Sequence, residues 1–138
     1  MSDVKLNFAH VCDYAFNAEG GKPSIIGIFK NIIIQNPDRP HPQMCIITSV
    51  FVPSGGQFKQ IIKLVKESDP FEADLISPIE FIIDTENESE QQEEIEIGFI
   101  SQINNVKFSE SGKYLFKVYV GDDLLKNVPI NVIVKNNE

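Results

Sequence analysis

Residues 12–29 read CDYAFNAEGGKPSIIGIF, and the fold class turns on whether this cysteine, acid and glycine pair make chemistry or a turn between two strands. The spacing favours the turn. Gly20 and Gly21 supply the positive φ angles a tight hairpin needs, and no helix follows whose N-terminus could hold a phosphate. Upstream, Val4, Leu6 and Phe8 alternate with Asp3, Lys5, Asn7 and Ala9, which puts the apolar set on one face of a strand because successive side chains point to opposite sides. Continuing that alternation predicts His10, Cys12 and Tyr14 on the same inward face. Downstream, Ser24 to Gln35 (SIIGIFKNIIIQ) is apolar on both faces, which predicts a central or covered strand broken near Asn31.

Asn36 to Pro42 holds three prolines in seven residues and reads as a rigid crossing loop, because proline cannot donate to a ladder. Met44 to Val52 (MCIITSVFV) is a buried strand ended by Pro53 to Gly56. Phe58, Ile62 and Leu64 against Lys59, Lys63 and Glu67 give a half-buried strand. In the Pro70–Asp84 segment, Ile79, Phe81 and Ile83 alternate. The acidic tract over residues 84–94 has too few apolar side chains to pack and predicts a mobile loop. Ile95, Ile97 and Phe99 mark the next strand. Tyr114, Phe116, Val118 and Val120 point inward from another, and Gly121-Asp122-Asp123 turns the chain into a last strand with Val128, Ile130, Val132 and Val134. Seven to nine strands in one domain over residues 1–138 predict an all-β, two-sheet antiparallel sandwich. Glu110-x-Gly112-x-Tyr114-x-Phe116 resembles the tyrosine corner of immunoglobulin-like sandwiches, in which the hydroxyl bonds back to the backbone and a cysteine follows two residues later. Phe116 stands in the cysteine's place and there is no tryptophan, so the resemblance is to a disulfide-free immunoglobulin-like sandwich.

At 138 residues the chain is long enough to bury a core without a disulfide or a metal. Its 12 Lys+Arg against 20 Asp+Glu leave a net charge of -8, which repels phosphate backbones and anionic head groups and speaks against nucleic acid or membrane partners. The N-terminus lacks the layout of a signal peptide, and no apolar run approaches bilayer length. A cytoplasmic protein is expected. In that reducing compartment Cys12 and Cys45 are read as free thiols.

The residue types carry few chemistries. His10, Cys12, His41 and Cys45 are of the kind zinc accepts, but His-x-Cys on a strand is not a knuckle spacing and loop-borne CxxC pairs are missing. The plain alternative is that both cysteines are small core residues and His10 a hydrogen-bonded one. A cysteine nucleophile needs a partly exposed, electropositive pocket, and an inward strand position in an acidic protein is the opposite. Asp84, Glu86, Glu88, Glu90, Glu93 and Glu94 lack the spacing and turn glycine of a calcium loop and read as a solvated face. The run Ile25, Ile26, Ile28, Phe29, Ile32, Ile33 and Ile34 must be central, covered or used in an interface, since bare it would pair with a neighbour.

Cys12-Asp-Tyr-Ala15, Gly21-Lys-x-Ser-Ile-Ile-Gly-Ile-Phe29, His41-Pro42, Gly112-x-Tyr114 and Val128-Pro129 together resemble a family of small uncharacterised bacterial proteins, a domain of unknown function, over nearly the whole chain. The resemblance implies a single sandwich domain and transfers no catalytic residue and no cofactor. It draws attention to Asp13, Tyr14, Lys22, Gly27, His41 and Pro42 as shared positions, for which turn capping, close backbone approach and loop rigidity are sufficient structural reasons. The expected function is a non-catalytic binding or scaffold role, through a protein partner or self-association as a homodimer. The alternative is a metal-binding protein or metal-dependent enzyme built on His10, Cys12, His41 and Cys45.

Overall fold

A computed structural model describes residues 3–86 and 94–135. The described chain is all strand and connection, in nine strands: β1 (Lys5–Ala18), β2 (Lys22–Ile28), β3 (Asn31–Ile34), β4 (His41–Pro53), β5 (Gln57–Lys66), β6 (Ile79–Asp84), β7 (Glu94–Val106), β8 (Gly112–Val120) and β9 (Asp123–Val134). They form two sheets, a first in the order β2-β1-β4-β7 and a second in the order β3-β9-β8-β5-β6. Of the acidic tract 84–94, expected to be a mobile loop, Asp84 instead ends β6 and Glu94 opens β7, and residues 87–93 lie outside the described residues. Thr85 is buried and donates from Oγ1 to Pro53 O at 2.9 Å, fastening the end of β6 to the end of β4.

The run Ser24 to Gln35, expected as a central or covered strand broken near Asn31, does break there, but its two pieces are edge strands in different sheets. The chain changes sheets at two neighbouring residues: Phe29 N donates to Val11 O of the first sheet at 3.1 Å, and Lys30 O accepts from Asn131 N of the second at 2.7 Å. Having crossed, β3 runs parallel to β9, from Asn31 opposite Asn131 to Ile34 opposite Val134. The second sheet is therefore mixed rather than purely antiparallel. A parallel edge of this length is reached without a helical crossover because its partner strand lies at the far end of the sequence. The proline-rich loop is shorter than expected, since His41 and Pro42 already open β4.

Apolar side chains of both sheets meet in one dry layer. Val11, Met44 and Ile46 from the first sheet pack with Ile62, Leu64, Phe116, Val118 and Ile130 from the second. At the other end of the sandwich Val4, Val50, Val52, Ile83 and Val120 form a continuation of it, and Phe81 of β6 stacks on Phe99 of β7 with ring centroids 4.1 Å apart. One polar pair sits inside: Gln60 Nε2 donates to Thr48 Oγ1 at 2.7 Å, from β5 to β4, with both residues fully buried.

The tyrosine corner is present. Tyr114 Oη donates to Glu110 O at 2.8 Å, Phe108 meets the ring edge-on at 5.0 Å, and Phe116 fills the layer where the related sandwiches place a sulfur. Packing a full phenyl ring there contributes more than a bridge-sized side chain would.

The inward alternation of β1 does not persist as expected. Val4 and Leu6 face the interior, but the β1–β4 pairing slips between Leu6 and Phe8. A one-residue slip exchanges the two faces of everything after it. Ala9 and Val11 consequently join the interior layer, and Phe8 and Cys12 pack in a separate cluster on the outer face of the first sheet. Of the three residues expected inward, Cys12 is buried in that outer cluster, His10 is half-buried and Tyr14 is exposed.

Replacing Tyr114 by Phe should lower stability by about 0.5–1.5 kcal/mol through loss of one hydrogen bond, and Phe116→Ala by about 3–5 kcal/mol through the cavity left behind. Urea unfolding of the two variants measures both, and equal losses would refute this division of roles.

Candidate functional site

The outer face of the first sheet carries a second, smaller apolar cluster. Cys12 of β1 lies directly opposite Cys45 of β4, and His10 opposite Ile47. The β1–β4 pairing ends at Cys12, while β1 continues for six residues paired with β2 alone. Ala15 and Ile25 of this free hairpin pack against Cys12, Cys45 and Ile47, with Phe8 and Ile100 around them. Asp13 and Tyr14, between Cys12 and Ala15, are exposed, so the inner side of the hairpin changes where it leaves the sheet. Gly27 is the reason it can. Its φ of 71° lies in the left-handed region, and a Cβ there would stand 2.4 Å from Asp13 Oδ2. Two of the shared positions, Asp13 and Gly27, are thus a bend. Lys22 is exposed where β2 begins, opposite Ala18.

The four residues considered for zinc do not assemble. Cys12 and Cys45 face each other, but His10 stacks on Phe8 with ring centroids 5.6 Å apart, and His41 stands at the start of β4 opposite Val106. Pro42 follows it there, and His41 Nε2 is buried without a hydrogen-bond partner among the described residues. No group of three or more His, Cys, Asp or Glu side chains among the described residues is placed to hold a metal ion.

Both cysteines are free and buried, and their register keeps them so. The bond from Phe29 N to Val11 O turns the polar groups of Val11 toward β2, hence those of Cys12 toward β4. Cys12 and Cys45 are therefore a hydrogen-bonded pair, with Cβ atoms about 5.5 Å apart, whereas a disulfide needs about 3.8 Å. Burial, and then the neighbouring Cys45 thiol, push the Cys12 pKa up to about 11. A thiol so placed is a packing group rather than a nucleophile.

The interface candidates divide. Ile32 and Ile34 are buried in the interior layer, and Phe29 is half-buried against it; Ile25 is half-buried in the outer cluster. The run, read as central, covered or used in an interface, is thus part buried and part bare, which follows from alternation within β3 and from the change of sheet. Ile28 and Ile33 remain 56% and 53% exposed. Ile33 is opposite the exposed Ile133. Ile26, 55% exposed, lies directly opposite the half-exposed Tyr14. The Tyr14 ring also meets that of Phe16 at 5.7 Å.

Sequence reasoning missed a groove. Between the hairpin tip and the outer face of β4 and β7 lies a cavity of about 470 Å³, with Phe8, Ile47 and Ile100 as apolar lining, Asn17 and Pro23 from the hairpin, and Ser49 and Glu96 at its polar end. Ser49 Oγ donates to Glu96 Oε1 at 2.9 Å, and Asn7 Nδ2 donates to the same oxygen at 3.0 Å. The sole sign in the sequence was Ser49, a polar residue inside an apolar run.

This chain belongs to a family of unknown function, DUF6941, whose model matches residues 7–133. No curated protein sequence matches it. Its fold is similar to that of an immunoglobulin-like protein from Pseudomonas aeruginosa, with a TM-score of 0.50 at 10% identity over 95% of this chain and 97% of that one. It is also similar to part of a Pseudomonas fluorescens alkylpurine DNA glycosylase bound to DNA containing an abasic-site analogue, with a TM-score of 0.51 at 7% identity over 96% of this chain and 31% of the glycosylase. Likeness at these identities shows an immunoglobulin-like fold.

Neither thiol should react with an aromatic disulfide reagent in the native protein at neutral pH, and both should react once it is unfolded in urea. Because the folded Cys12 pKa lies above its ordinary value of 9.0, the unfolded chain loses this proton first. The associated stability is whole below pH 9 and lost as pH rises toward about 11. Cys12→Ala should flatten that alkaline decline, and an unchanged slope in urea titrations between those two pH values would contradict it.

Proposed function

We propose that this member of a family of unknown function is a non-catalytic protein-binding module that presents its β1–β2 hairpin as the contact surface. The supporting observation is the set of large apolar side chains left bare on that hairpin: Tyr14, Phe16, Ile26 and Ile28, exposed by 38% to 56%. A hairpin at a sheet edge with uncovered isoleucines is a surface that gains by being covered. β2 is the end strand of its sheet, so one side of its backbone is open to an added strand, the mode in which main-chain bonds give affinity and alternate side chains give specificity.

Catalysis has little support. The thiols are buried, His10 is engaged with Phe8, and among the described residues no nucleophile on the outer face is paired with a basic side chain. The net charge of -8 works against a phosphate-rich partner, so the glycosylase's DNA is not carried over to this chain. A protein partner fits better. A second copy is the simplest such partner, because antiparallel pairing of β2 with its own mate makes an isologous contact that extends the first sheet across a two-fold axis.

Wild-type protein at tens of micromolar should scatter light as a dimer. Ile26→Lys should scatter as a monomer, and its urea midpoint should match that of wild type diluted until it too is monomeric, since the side chain touches solvent in the single chain. Monomers in both samples, with β2 amides that exchange as fast as those of a free edge, would overturn the reading.

A further inference from the structure

The groove beneath the hairpin tip is separate from the apolar surface on the hairpin's other side, and the geometry points to a ligand site for a small organic ammonium ion with an apolar body. Among the described residues Glu96 is the one ionised side chain in its lining; every other lining residue is apolar or neutral. The carboxylate is also oriented. Asn7 Nδ2 and Ser49 Oγ both donate to its Oε1, and Ser49 is itself almost fully buried. Donation from two neutral groups fixes the orientation of the carboxylate and holds it at the groove's end. Glu96 is exposed to solvent at the groove's mouth; an anionic ligand would meet its negative charge there, and a neutral one would gain no ion pair from it.

The rest of the cavity selects the body of the ligand. About 470 Å³ matches a compact small molecule and is too little for a folded partner. Phe8, Ile47 and Ile100 offer a continuous apolar floor, and Pro23 overhangs it from the hairpin. Gly98 leaves the floor open between β4 and β7. A Cβ at Gly98 would meet only Thr48 O, at 3.5 Å, so a larger residue can fill the groove without straining the backbone. An aryl or short alkyl group would rest on this floor while its ammonium reached Glu96, the division between apolar lining and one placed charge that small-ligand sites show.

Titration of the full chain with benzylammonium, followed by amide chemical shifts, should perturb β4, β7 and the hairpin tip and saturate. Benzyl alcohol should bind at least roughly tenfold more weakly, the scale of one charge-assisted hydrogen bond, and benzoate not at all. Glu96→Gln keeps an acceptor for Asn7 and Ser49 and should weaken benzylammonium by a similar factor. Gly98→Val should abolish binding while leaving the urea midpoint within error of wild type. Ile26→Lys should leave binding unchanged, which separates this site from the protein-contact surface. Equal affinity for the alcohol and the ammonium, undiminished binding by Glu96→Gln, or tighter capture of a lysine-bearing hexapeptide than of benzylammonium would each overturn the assignment.

Discussion

A single slip in the pairing of β1 with β4, between Leu6 and Phe8, decides what the two faces of the first sheet contain. Side-chain direction in a strand repeats every two residues, so an extra residue on one strand reverses every position beyond it. Before the slip Val4 and Leu6 point into the sandwich; after it Ala9 and Val11 do. His10 and Cys12 thereby leave the interior. The outer face then acquires enough apolar surface, from Phe8, Cys12, Cys45 and Ile47, to need a cover of its own. The hairpin beyond Cys12 is that cover, and the groove is the space its tip does not fill.

The edges of the sandwich follow from a second local event, the change of sheet at Phe29 and Lys30. Each of these neighbours is bonded to a different sheet, so the chain cannot continue straight as one long central strand. The nearly unbroken hydrophobic run from Ile25 to Ile34 becomes two short edges instead. Short edges limit the length over which stray strands can pair. On β3 the alternation buries Ile32 and Ile34 and leaves Ile33 out, whereas β2, with its bend at Gly27, leaves Ile26 and Ile28 bare. The exposed isoleucines are what remains after one oily run is divided between two sheets.

Much of the architecture was legible because it depends on period-two patterning and on turn chemistry, both local. Tyr114, Phe116, Val118 and Val120 alternate without interruption, and the interior layer receives them as expected. The corner resemblance carried by Glu110, Gly112 and Tyr114 is realised in the bond from the tyrosine hydroxyl to Glu110 O. The paired glycines at positions 20 and 21 do turn β1 into β2, each with positive φ. What escaped depends on pairing between distant segments. A bulge has no signature in the strand that carries it when the residues on both sides are of mixed polarity, as Asn7, Phe8 and Ala9 are. The parallel alignment of β3 with β9 joins positions at opposite ends of the sequence. Glu96 and Asn7 looked like ordinary solvent-facing positions, and only the meeting of β1, β4 and β7 makes them partners of Ser49.

The interior explains why function must be sought outside it. Phe116, Met44, Ile46, Ile62, Leu64 and Ile130 are fully enclosed, and such layers are packed to crystal-like density, leaving little volume for a ligand between the sheets. The buried Gln60–Thr48 bond crosses that layer and ties β5 to β4 at one register, because sliding the sheets would strand two polar groups in an apolar medium. The sheets therefore form a stiff platform, and stiffness there is what lets the outer face hold a carboxylate at a fixed position. The hairpin is different in kind: it leaves the sheet at Cys12 and is held down by Ala15 and Ile25 against the thiols. Contacts that few give the hairpin a lower opening free energy than the layer beneath it. Tyr14 and Ile26 face each other within the hairpin's own ladder, so the contact surface they make is carried by the hairpin as a unit.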